Sequence, residues 1–119
     1  INSENSRLFF EIFMKDILTF IYSNKFVVIS VMFLNNYGEI YGIFYDRLYE
    51  AVKQQIEFDQ QVGQFYINET IYGEFLTGGI LSVILNWIQY GQHQSIDKIS
   101  SDIVTMICGA REVHLKLLK

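Results

Sequence analysis

The sequence has no proline, a single cysteine, and charged residues at only 18% of its length, where an ordinary soluble domain has about 25%. Each shortage excludes something. One thiol, Cys108, rules out an internal disulfide framework and fits a reducing compartment. Scarce charge beside 50% hydrophobic and 16% aromatic residues excludes a disordered chain, and it predicts a large apolar area buried within the chain or between chains. Nine Lys and Arg against 13 Asp and Glu give a net charge of −4 with no basic run, so the chain alone lacks a footprint for DNA or RNA. No basic start followed by an apolar stretch marks a signal peptide, and the opening at Ile1 reads as a piece of a longer protein. The length of 119 residues suits one domain with a substantial core.

The sharpest local shortage runs from Phe75 to Ile96, where there is no Asp, Glu, Lys or Arg. A membrane span needs about 20 apolar residues, but Asn86, Gln89, Gln92, His93 and Gln94 interrupt this stretch, which argues against a span. The same stretch contains Gly78 and Gly79 within a helical apolar spacing. Each interior glycine costs a helix roughly 1 kcal/mol relative to alanine, so something must require the missing side chains.

With no proline, breaks are marked by Ser23-Asn24, Asn35-Asn36-Tyr37-Gly38, Gln60 to Gly63, and Gly91 to Ser95. No repeat of solenoid length is present. The segments between the breaks predict an all-α five-helix bundle, with helices at about 5–22, 25–35, 38–59, 64–90 and 96–116. Leu8, Phe9, Ile12, Phe13, Ile17, Phe20 and Ile21 give the first an apolar face. In the third, Tyr41, Phe44, Tyr45, Leu48, Val52 and Ile56 oppose Asp46, Glu50, Lys53 and Glu57. The fifth begins with Ser95 as N-cap and Asp97 in its first turn. FVVISVMFL (26–34) has the β-branched content of a strand, but no partner strand is evident, so a short, wholly buried helix is expected.

Catalytic patterns are lacking as well: the sequence contains no GxSxG, HExxH, P-loop or GxGxxG. His93 and His114 have no ligand-spaced carboxylate or thiol, and Cys108 with Glu112 on one helix face does not make a metal site. No enzyme, cofactor or metal is expected. Asn68-Glu69-Thr70 matches a glycosylation sequon, which within a helix carries no weight.

What is abundant is aromatic. Most of the ten Phe are core filling. The tyrosines need hydroxyl partners when buried; Tyr41, Tyr45 and Tyr49 recur every four residues, and Tyr66 and Tyr72 are assigned to helix four. An apolar cavity with a few phenols suits a small organic ligand. The expected lining, between helices one to four, is Phe13, Ile17, Ile29, Phe33, Tyr45, Leu48, Tyr72 and Phe75, for a hydrophobic or aromatic effector. Plain core is the competing reading of the same residues.

The glycine pair and the missing charge predict that helix four is buried on two fronts, its own domain and another chain. Helix five supplies a second apolar face. Two helices from each of two subunits make an intersubunit four-helix bundle in a two-fold homodimer. Gly79, Ser82, Val83, Asn86, Ile103, Ile107 and Ala110 are expected near the axis.

The stretch YGEFLTGGILSVILNWIQYGQHQSIDKISSDIVTMI (72–107) resembles the last two helices of the regulatory domain of TetR/AcrR-family transcriptional regulators. Phe75, Gly78, Gly79, Trp87, Gly91 and Ser95 follow that pattern in order and spacing. FFEIFMKDILTFIYSNKFVVISVMF (9–33) is similar to the family's first regulatory helices. The resemblance implies a bacterial, cytoplasmic regulator, usually a repressor. In it this chain is the effector-binding and dimerisation part, and the helix-turn-helix domain that reads DNA has no counterpart here. An effector entering between helices one to four would shift the subunits and thereby the spacing of the DNA-reading heads. The alternative is a helical protein–protein interaction module without a ligand pocket.

The charge balance generates a first prediction. Phosphate contacts supply most non-specific affinity for DNA, so a mobility-shift assay at low salt should show no complex with this chain. Salt-sensitive micromolar binding would contradict it.

Overall fold

The computed structural model describes residues 3–34, 37–90 and 94–118, with the side chains of residues 3–6, 33 and 37 also outside the description. Five helices appear among these residues: α1 (Ser3–Ser23), α2 (Lys25–Phe33), α3 (Tyr37–Val62), α4 (Glu69–Tyr90) and α5 (Ile96–His114). The all-α expectation holds at this level. The predicted breaks at Asn35-Asn36 and at 91–93 lie outside the described residues.

Helix boundaries follow from local chemistry. Asn24 ends α1, its backbone N–H reaching the Phe20 and Ile21 carbonyls at 3.2 Å while its side-chain amide donates to the Phe20 oxygen at 2.8 Å. Ser95 caps α5 as expected, its hydroxyl accepting the Lys98 N–H at 3.1 Å. Asn68 performs the same service for α4, accepting the Ile71 N–H at 3.0 Å. The sequon asparagine is thus a cap at the helix entrance and not a residue within the helix.

The fourth helix therefore starts later than predicted, and the residues before it do something else. Gly63–Phe65 form a strand, β1, that pairs antiparallel with β2, Leu115–Leu117, in the register Gly63 with Leu117 and Phe65 with Leu115. Flanking backbone bonds extend the pairing, from Tyr66 N–H to the His114 carbonyl and from Leu118 N–H to the Val62 carbonyl, each 2.9 Å. Gly63 is required by this approach. A Cβ there would stand 2.6 Å from the Lys116 carbonyl oxygen. Tyr66 lies on this strap, exposed, and not on helix four.

α1 packs along α5, and α3 along α4, with α2 leaning on α3 and α4. The principal extents are 50 × 27 × 16 Å, so the thin dimension holds under two helix diameters. A radius of gyration of 15.1 Å exceeds the roughly 13.5 Å of an equally long compact domain. Met14, Leu18, Ile84, Ile88, Ile103 and Val104 are the fully buried centre of the main core. A smaller cluster of Ile56, Phe65, Tyr72 and Leu115 sits beneath the strap. The flatness corrects one expectation. α2 is not wholly buried, since only one side is covered; Met32 is inside, whereas Phe26 is 77% exposed and Val27 is also exposed.

The ends of α3 and α5 are joined by a buried ion pair. Arg111 donates from Nε to Asp59 Oδ2 and from Nη2 to Asp59 Oδ1, both at 3.0 Å, and Gln55 Nε2 donates to Oδ1 at 3.1 Å. The two side chains are 8% and 4% exposed. Removing one member of such a pair strands the other charge and typically costs about 3–5 kcal/mol, whereas apolar replacement of both is far milder. Urea denaturation should accordingly show Arg111→Ala losing several kcal/mol, and Asp59→Leu with Arg111→Met losing much less.

Candidate functional site

The side chains expected around an effector divide among three places. Leu48 is buried in the main core, and Phe13, Ile17, Ile29 and Tyr45 pack against it. Tyr72 belongs instead to the cluster under the strap, and Phe75 is 82% exposed, facing away from α1–α3. Phe33 lies outside the described side chains. Near Phe13 and Leu48 the space is about 30 Å³, room for a water or two. Rings stack nearby, Phe9 on Phe13 at 5.9 Å and Tyr41, Tyr45 and Tyr49 in turn at 6.2 and 6.0 Å along α3. The structure does not bring Tyr72 and Phe75 to the other expected lining residues.

A larger space lies between α4 and α5. It is an open groove of about 460 Å³. Ile71, Phe75, Gly79 and Val83 form its α4 side, and Met106 and Ala110 its α5 side. These α4 positions recur every four residues, opposite the buried row of Gly73, Thr77, Ile80, Ile84 and Ile88. Leu76, Ile80, Ile103 and Ile107 form the floor. His114 stands at one end, edge-on to the Tyr72 ring at 6.0 Å. Among the described residues no Asp, Glu, Lys or Arg lines the groove.

The residues expected at a dimer axis divide accordingly. Gly79, Ser82, Val83 and Asn86 are exposed on α4, and Ala110 is half-buried. Ile103 and Ile107 are not free for a partner. They are 2% and 5% exposed and belong to the chain's own core, because α5 turns that side toward α1. Met106, 59% exposed at the rim, and Ile71 were not expected at the axis, although helical spacing places Met106 on the apolar row of helix five and Ile71 opens the apolar stretch of helix four, a detectable signal. Asp59 and Arg111 were missed too. Each is a charge in line with an apolar row, after Ile56 on α3 and after Ile107 on α5.

The paired glycines differ from the packed ones. At Gly73 a Cβ would meet Ile56 Cδ1 at 3.1 Å and Tyr49 Cε2 at 3.4 Å, so α3 and α4 need that glycine. At Gly78 and Gly79 a Cβ would meet nothing within 4 Å. Packing inside this chain gives no reason for either.

Among the described residues no group of three His, Cys, Asp or Glu side chains is placed to hold a metal ion. Burial raises the Cys108 thiol pKa, with Arg7 opposing, which disfavours the reactive thiolate. α4 is long and apolar enough to cross a membrane by length and composition, but half of its apolar window is buried against the chain, as in a core helix. Neither a family model, nor a curated protein, nor a solved structure matches this chain.

The Tyr72 phenol, at the groove's end, is pushed up to about 12, first by burial and then by the Asp59 carboxylate, against the opposing Arg111 charge. Folding thus favours the neutral phenol. Below pH 10 that preference is fully present, and it is lost as pH rises from about 10 through about 12. Urea midpoints measured across that window should fall more steeply for the wild type than for Tyr72→Phe, which has no proton to lose there.

Proposed function

We propose that this chain is the effector-sensing and dimerisation domain of a TetR-family transcriptional regulator, coupling a small hydrophobic or aromatic effector to DNA binding by a separate helix-turn-helix domain. One observation carries the reading. The α4–α5 face is apolar, uncharged and open, it contains Gly79 with Gly78 beside it in sequence, and no contact among the described residues explains either helix-weakening glycine.

A self-complementary surface needs projections and gaps on the same patch. Phe75 and Met106 project from this one, and Gly79 leaves a gap between Phe75 and Val83 along α4. A second copy related by a two-fold axis would set its own projections into that gap, making the four-helix contact of two α4 and two α5 helices. The floor residues Ile103 and Ile107 support the contact from beneath, and the exposed α4 row makes it. In such a regulator the effector would enter the α1–α4 interior by displacing the aromatic rings stacked there. Its effect on DNA would come from a shift between subunits, in the cytoplasm of a bacterium.

The second reading, a helical protein–protein interaction module without a ligand pocket, is favoured by one feature, the small space around Phe13 and Leu48. It differs in what covers the groove, a different protein and not a second copy.

Light scattering at micromolar concentration should give a dimer mass for the wild type. Phe75→Lys should give a monomer, and the surface change Lys53→Gln should leave the dimer intact. Gly79→Ala separates the two roles of the glycine. It should stabilise the helix of an isolated chain by about 1 kcal/mol while weakening the dimer. A wild type that remains at 14.0 kDa would remove the support for a homodimeric regulator and leave the interaction module.

A further inference from the structure

Two small, partly open pockets of about 30 Å³ each lie side by side, sharing Phe10, Val52, Ile80 and Ile107 as a wall. Their other linings differ in kind. One adds only apolar groups, such as Phe13, Met14 and Leu48. The other adds Gln55, Asp59, Tyr72 and Arg111. A space of that size admits a water or two, and water is retained where it finds two to four polar partners; an apolar space of equal size remains dry.

The polar void has partners to offer. A guanidinium carries five N–H donors, of which Arg111 gives two to Asp59. A carboxylate has about four acceptor positions, of which Asp59 uses three, two for Arg111 and one for Gln55. The Tyr72 hydroxyl has no hydrogen-bond partner among the described residues, although the residue as a whole is only 7% exposed. Tyr72, Asp59 and Arg111 line the same small pocket, yet the phenol bonds directly to neither charge. A buried hydroxyl left unpaired costs about 1–3 kcal/mol.

We propose that the polar void is a binding site for one ordered water, which bridges the Tyr72 hydroxyl to the Asp59–Arg111 pair, and that the neighbouring void at Phe13 and Leu48 stays dry. Through this water α4 joins the polar contact between α3 and α5. Tyr72 also lines the α4–α5 groove, so the bridge links that open face to the ion pair.

A high-resolution crystal structure of the whole chain tests this directly. It should show one water within hydrogen-bond reach of Tyr72 Oη and of Asp59 or Arg111, and no density in the apolar void. Tyr72→Phe keeps the ring against Phe65 and His114 but should lose that water and lower Tm by roughly 4 °C, while Tyr66→Phe, at an exposed tyrosine, should change neither. A water–protein NOE in the wild type at the Tyr72 ring gives the same answer in solution, without a variant. No density in the polar void, a direct Tyr72–Asp59 hydrogen bond, equal density in both voids, or a water that persists unchanged in Tyr72→Phe would each overturn the proposal.

Discussion

The buried bidentate contact between Asp59 and Arg111 constrains more of this molecule than any other single interaction. Two charges taken out of water are tolerated only when geometry and extra hydrogen bonds are good, and here Gln55 supplies the additional donor. That requirement holds the last turns of α3 and α5 side by side. The β1–β2 strap continues the same junction, running directly from the end of α3 and the end of α5. With both ends fixed, the chain must turn back after Phe65, and α4 begins at the Asn68 cap. α4 therefore lies beside α3, and the groove separates it from α5.

A flat arrangement follows, and its consequence is exposed apolar surface. Two thin layers cannot enclose all the hydrophobic area of a chain this poor in charge. The surplus falls on the outer side of α2 and along the α4–α5 face. Scattered apolar residues on a surface are ordinary, but a contiguous patch beside a groove marks an interaction site. The α4–α5 face has that form, its exposed row repeating every four residues with no charge among its described lining residues, and the proposed interface rests on it.

The four glycines of α4 and the strap separate internal from external needs. Gly63 and Gly73 are tied to near contacts with Lys116, Ile56 and Tyr49. Gly78 and Gly79 touch nothing on the side where a Cβ would grow. An unforced glycine pair in a helix is a standing loss of stability, which the proposed close approach of a second chain would offset. The proposed homodimer thus rests on a cost visible in the helix as well as on an apolar surface.

Amphipathic spacing by itself determined the first, third and fifth helices, because a 3.6-residue period shows which side of a segment must be buried whatever covers it; the second followed from the lack of a partner strand and the fourth from a long apolar stretch. The Ser95 cap and the breaks at Ser23-Asn24 and near Gly63 were equally legible, since they depend on a few adjacent residues. Only the tertiary structure decided which apolar side meets which. Tyr72 and Phe75, three residues apart, were expected to share a cavity; one went under the strap and the other outward, because α4 turns between α3 and α5. Ile103 and Ile107 looked available to a partner until the packing of α1 on α5 claimed them. The Gly63–Phe65 strand and the Asp59–Arg111 pair arise from residues roughly 50 apart in the chain, and the groove from residues roughly 20 to 40 apart, and a local period contains no information about contacts at such separations.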